Sequence, residues 1–140
     1  MFEKVLVAVD GSQFSEAALA AAEGLAAKAG CQVEVVHVHE HDFIPSKAGM
    51  SPDLELMDEA KAVVDKAVER LKAKGVTVTG RLLQAHTRDV PRAIIEAAEE
   101  NGADLIIVGR RGLSSLTGML VGSVSNKLIH VAKMPIMVAH

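Results

Sequence analysis

The residues of this chain best suited to chemistry lie toward its C-terminal end. They read Gly109-Arg110-Arg111-Gly112, then nine residues, then Gly122-Ser123. Glycine carries no Cβ and accepts positive φ, so main-chain N–H groups can close around an anion in such a loop. Gly122-Ser123 opens a helical pattern, Val124-Ser125-Asn126-Lys127-Leu128-Ile129-His130-Val131. The free N–H groups and dipole at a helix start favour phosphate. The Ser123 hydroxyl would be a further donor, and Ser125 is placed to add another. An apolar strand pattern runs directly into Gly109, and strand, glycine loop and helix together point to a nucleotide site. The loop lacks the Gly-Lys-Ser/Thr ending of a P-loop, and no segment reads G-x-G-x-x-G after a strand. Glycine also serves ordinary turns between strands and helices, so the spacing needs support from the rest of the chain.

That support comes from the elements that must position the loop. Residues 4–9 and 105–108 are short, nearly continuous Val/Ile-rich runs, as expected of central parallel strands covered on both faces. Ser12 or Ser15 can cap a first helix whose inner positions are Ala18, Ala22, Leu25 and Ala29, with Gly30 at its end. Residues 31–39 read as a second strand, and 40–50 as a polar loop with Pro45 and Gly49. Ser51-Pro52 then starts the longest helix, with Leu56, Ala60, Val63, Val64, Ala67 and Leu71 in one stripe ending near Gly75. A third strand over 76–83, a helix over 89–101 stopped by Gly102, the fourth strand, a last helix and a strand over 136–139 complete a βαβαβαβαβ order. Such alternation predicts an α/β fold: one doubly wound parallel five-stranded sheet with helices on both faces. Ligands of such sheets bind at the carboxyl ends of strands where the winding reverses.

Composition narrows the function. The 140 residues, 49% of them hydrophobic, fit one compact domain over 1–140. A net charge of −3 and 2% aromatic content argue against nucleic acid, which calls for a basic face and stacking rings. No apolar run approaches the roughly 20 residues of a membrane span. Met1-Phe2-Glu3-Lys4 passes straight into a strand without a signal-peptide layout, so the expected location is the cytoplasm, with no membrane partner. The single cysteine, Cys31, has no partner for a disulfide or a redox pair and reads as a packing residue.

The G-x2-G-x9-G-S arrangement of Gly109, Gly112, Gly122 and Ser123 combines with Val5-Leu6-Val7-Ala8-Val9-Asp10-Gly11-Ser12. Together they resemble the universal stress protein family, in particular its ATP-binding branch. Ala103-Asp104-Leu105-Ile106-Ile107-Val108-Gly109 and the ending Met134-Pro135-Ile136-Met137-Val138-Ala139 are similar to that family's last two strands, so the likeness covers nearly the whole chain. The resemblance implies strand order 3-2-1-4-5. Asp10, ending strand one, and Gly109, ending strand four, then meet at one crevice. It also implies that Asp10 contacts the nucleotide, that the Val38 main chain meets adenine, and that Ser123 bonds phosphate, with Val124 and Ser125 continuing the matching stretch. Arg111, like Arg110, could reach a phosphate from within the loop. Asp-Gly is also a common turn pair, while a carboxylate at a strand end could bind a ribose hydroxyl or help hold Mg²⁺.

The expected function is a stress-response regulatory protein that binds ATP, with Mg²⁺ through the phosphates. Its partners are expected to be a second copy through the C-terminal strand and a further protein of unknown identity. Two alternatives remain open: a slow ATPase or nucleotide hydrolase, and an oligomerising stress module without nucleotide. No general base is tied by motif to the phosphate site. His37, His39 and His41 alternate and would share a strand face. The strand is expected to end near His39 and no fourth ligand is evident, so they do not read as a metal site. Two departures from the family pattern stand out. Arg88 occupies a turn where many relatives have glycine, and Met134 precedes proline where a smaller residue is frequent.

Overall fold

The computed structural model describes residues 2–41, 53–110 and 123–140. Its strands form one parallel sheet in the order β3-β2-β1-β4-β5. β1 (Lys4–Ala8) and β4 (Leu105–Gly109) are central, and β4 is buried along its whole length. They pair in the register Val5↔Leu105, Leu6↔Ile106 and Val7↔Ile107. Alternation of side chains across the pleat sends Val5, Val7 and Ile107 to one face and Leu6, Ile106 and Val108 to the other. α1 (Gln13–Ala29) and α2 (Asp53–Ala73) cover the first face, while α3 (Val90–Asn101) and α4 (Ser123–Val131) cover the second. The continuous apolar character of the central strands follows from this double cover.

Several boundaries differ from the sequence expectation for local reasons. β2 (Gln32–Glu40) matches its expected run within a residue, whereas β3 (Val78–Ala85) starts two residues later than 76. Val76 is used instead to close α2: Gly75 is left-handed at φ 78°, its N–H bonds the Lys72 carbonyl, and the Val76 N–H bonds that of Leu71. This is a Schellman stop, with Val76 as its apolar residue packed on the core. The buried stripe of α1 runs Ser15, Ala18, Leu19, Ala22, Ala26, so Leu25 and Ala29 lie at its margin rather than its centre. A short 3₁₀ turn, Thr87–Asp89, precedes α3 and contains Arg88. No described non-glycine residue has positive φ, so arginine in place of glycine costs this turn no left-handed strain. Cys31 is buried in the core, where loss of solvent pushes its thiol pKa up, consistent with a packing role.

Candidate functional site

β1 and β4 are neighbours whose chains leave the sheet toward opposite faces, the arrangement that in doubly wound sheets sets a binding crevice beyond the carboxyl ends. Asp10 and Gly109 stand at its two sides. Asp10 is held by the start of α1: its Oδ1 accepts the Ser12 N–H at 2.9 Å and the Ser15 hydroxyl at 2.6 Å, while its own N–H donates to Ser15 Oγ at 2.7 Å. Gly11 completes the turn with φ 82°, a conformation that favours glycine. Neither serine caps α1 by its side chain, and Ser12 Oγ finds no partner among the described residues. The Asp10 carboxylate is thus pre-oriented, with Oδ1 committed to the protein and Oδ2 carrying no bond among the described residues.

Gly109 is glycine for a reason the spacing alone did not reveal. A Cβ there would stand 2.5 Å from the Phe14 carbonyl oxygen and 2.8 Å from its carbon, so the first turn of α1 crosses directly over the end of β4. Its φ is not positive, and it pairs with Ala139 as a strand residue. Ser125 is 1% exposed and donates its hydroxyl to the Gly109 carbonyl at 2.8 Å, so that proton is spent inside the protein. Val124, on α4, is buried in the core that α4 shares with α3 and the sheet. The Arg110 guanidinium carbon lies 5.6 Å from the centre of the Phe14 ring, which places a cation at the mouth of the crevice. Arg111, Gly112 and Gly122 lie outside the described residues, as does the Ser123 side chain, so Asp10, Val38 and Gly109 define the crevice on the described side.

Val38 contributes through its backbone. The β2–β3 ladder is bracketed by the Val33 N–H to Thr77 carbonyl bond and the His41 N–H to Ala85 carbonyl bond, so odd-numbered residues of β2 face β3. Even-numbered residues face β1, as the bond from the Val9 N–H to the Val36 carbonyl shows. Pairing with β1 stops at that rung, while pairing with β3 continues to Ala85. The Val38 N–H and C=O therefore point into the crevice past the end of β1, and its side chain packs into the α3/α4 core. His37, which sequence reasoning weighed only as a metal ligand, uses Nδ1–H to bond the Val9 carbonyl at 2.7 Å. His41 instead packs edge-on against His86, with ring centres 4.9 Å apart, and among the described residues no three His, Cys, Asp or Glu side chains gather in a metal-binding cluster.

A cavity of about 480 Å³ also opens between α1 and α2, lined by Val9, Leu19, Val63, Glu16 and Arg70 among others. None of Asp10, Val38 or Gly109 lines it; of its four charged lining residues Glu16 and Arg70 pair with each other, and Glu59 and Lys66 are the other two. The Asp10 carboxylate and the main-chain groups of Val38 belong to the crevice, where the two sequence motifs meet, and we place the candidate site there. A carboxylate oxygen suits a hydroxyl or a bound cation, the main-chain donor–acceptor pair of Val38 suits the polar edge of a heterocycle, and the Arg110 guanidinium supplies positive charge nearby.

Comparison with known proteins identifies the family to which this fold belongs. Residues 1–140 match the model of the universal stress protein family. The chain is 32% identical to the universal stress protein YxiE of Bacillus subtilis, with 99% of each chain covered. It superposes with TM-score 0.79 and 32% identity on a crystal structure from the universal stress protein family of Burkholderia pseudomallei, covering 97% of this chain and 94% of that one. The universal stress protein of Archaeoglobus fulgidus solved in complex with dAMP gives TM-score 0.73 and 27% identity, covering 99% of this chain and 98% of that one. The fold, its strand order and the match along the full length lead to one conclusion: this chain belongs to the universal stress protein family.

Proposed function

We propose that the protein binds an adenine nucleotide, ATP with Mg²⁺ on its phosphates, in the crevice beyond β1 and β4, and uses occupancy to bias its choice of partner in a cytoplasmic stress response. The observation that carries this reading is the main chain of Val38, unpaired among the described residues, beside the fixed Asp10 carboxylate. One group set suits a base edge and the other a ribose hydroxyl or a phosphate-bound cation. The dAMP complex of the related Archaeoglobus fulgidus protein supports an adenine nucleotide as the ligand class. Gly112, Gly122 and Ser123 would supply the phosphate cradle, with Arg111 as a further cation, and the whole 140-residue chain would act as one nucleotide-binding domain. Mg²⁺, when bound, would neutralise phosphate charge next to Asp10.

The test is nucleotide-dependent stabilisation. A ligand at about 100 times its dissociation constant stabilises the folded state by roughly 2.7 kcal/mol, which thermal unfolding detects. We expect a clear shift with ATP for the wild type, a reduced one for Ser123→Ala, and almost none for Gly122→Val, whose branched Cβ would intrude on the cradle. Unchanged ATP affinity in Gly122→Val by calorimetry would remove the cradle from the site.

A further inference from the structure

We infer that His37 sets the base preference of the crevice: by bonding the Val9 carbonyl it keeps the Val38 N–H from closing the next rung, so that this N–H stands open beside the Val38 C=O for a base that presents an acceptor and a donor in the matching order. This rests on the adenine-nucleotide reading above. In a regular parallel ladder the rung after Val9 N–H to Val36 carbonyl is Val38 N–H to Val9 carbonyl. That rung is not made. The Val9 carbonyl is instead satisfied by the His37 ring at 2.7 Å, which requires the proton on Nδ1. Val9 is 1% exposed, so its carbonyl needs a donor, and without the imidazole the nearest one in the ladder is the Val38 N–H. The histidine thus ends the β1–β2 pairing one rung early and leaves the Val38 N–H open at the mouth of the sheet, beside a Val38 C=O whose own ladder partner would be the Gly11 N–H, which the turn at Asp10 and Gly11 carries away.

Such a pair discriminates between purines. Adenine presents an amino donor next to a ring-nitrogen acceptor on either of its polar edges, whereas hypoxanthine reverses the order on its Watson–Crick edge, with a carbonyl oxygen in place of the amino group and N1–H in place of the bare ring nitrogen. A base held in the same orientation then meets Val38 donor to donor and acceptor to acceptor. A mismatched base displaces water from main-chain polar groups without replacing its bonds, a penalty on the order of tenfold to a hundredfold in affinity. The discrimination disappears if Val38 is zipped to Val9.

The experiment compares wild type, His37→Leu and His37→Asn, each first shown to be folded by circular dichroism and thermal unfolding. Asparagine places an amide N–H near the position of Nδ1, and leucine removes the donor. Two measurements are made: calorimetric affinity for ATP and ITP, and amide hydrogen exchange of Val38 in the protein without nucleotide. Wild type and His37→Asn should prefer ATP by roughly tenfold or more, with Val38 exchanging readily. His37→Leu should lose most of that preference and slow Val38 exchange at least about tenfold. A leucine variant with the wild-type ATP/ITP ratio overturns the role of His37 while leaving nucleotide binding intact. Strong protection of Val38 in the wild type overturns it as well. A wild type that binds neither nucleotide defeats the nucleotide reading itself, and the base preference falls with it.

Discussion

The buried Ser125 hydroxyl donates to the carbonyl of Gly109 across 2.8 Å, tying the first turn of α4 to the strand end over which Phe14 crosses. Two elements on opposite faces of the sheet therefore converge on one glycine, and their substitutions should differ in kind. Gly109→Ala drives a Cβ into the Phe14 backbone, which cannot move aside as a flexible side chain could, and we expect a loss of about 1–3 kcal/mol in urea denaturation. Ser125→Ala removes one hydrogen bond and leaves a buried carbonyl, for a loss of about 1–2 kcal/mol. If Gly109→Ala is as stable as the wild type, the close crossing of α1 over β4 is not what selects glycine.

β5 (Ile136–Ala139) pairs with β4 on one side only and lies at the end of the sheet order. Its four residues are apolar and half-buried, and none carries the charge that ordinarily guards an edge. Ile129 and Val131 on α4 add exposed apolar surface, at 49% and 64% exposure. We expect a homodimer that pairs this strand across a two-fold axis, with a mass by light scattering near twice 14.8 kDa. Val138→Lys should shift the population toward monomer. A wild type that stays monomeric at micromolar concentration rejects the edge as an interface.

The legibility of this fold in its sequence varied with the physics of each segment. Apolar runs bounded by glycine revealed β1, β4 and the helix ends, because double burial and left-handed stops leave compositional marks at Gly30, Gly75 and Gly102. Strand order left no such mark, and it came from family resemblance. Within the crevice, Asp10 was legible as a carboxylate at a strand end, but its clasp by Ser15 was not. Ser15 looked like a helix cap, and only the fold turns its hydroxyl back onto Asp10. Gly109 was read for loop freedom, whereas its neighbour Phe14, ninety-five positions away in sequence by the difference of their numbers, supplies the steric cause. His37 escaped because bonding to Val9 depends on which edge of β2 is left unpaired, a property of register and not of residue type.

Hydrolysis should be slow if nucleotide occupancy is the function. Asp10 Oδ1 is already engaged by Ser12 and Ser15, and the His37 ring is held through Nδ1 on the Val9 carbonyl, so the protein itself occupies the titratable groups at these strand ends. Steady-state phosphate release from protein cleared of contaminating ATPases should fall well below the roughly 1–100 per second of kinases. A fast rate abolished by Asp10→Ala would make the protein an enzyme.

Away from the crevice, Arg81 on β3 binds Glu34 at 2.9 Å, Glu100 at 2.8 Å and the Ala97 carbonyl at 3.1 Å, joining β2, β3 and α3. Its guanidinium pKa is raised, first by the hydrogen bond to Glu100 and then by Glu34, against the opposing effect of burial. Glu34 is the more deeply placed partner, 9% exposed, so removing the arginine strands a carboxylate that water reaches poorly. Arg81→Met should therefore cost about 1–3 kcal/mol, a range set by the loss of a charged hydrogen-bond partner. Glu34→Gln should cost less, since the amide oxygen still accepts and Arg81 keeps Glu100. The double variant should be more stable than the sum of the two losses implies, because the stranded charge is gone. Chemical denaturation of the four proteins measures the coupling. Strict additivity would mean that Arg81 and Glu34 act independently, with the Arg81 effect coming from its bonds to α3 alone.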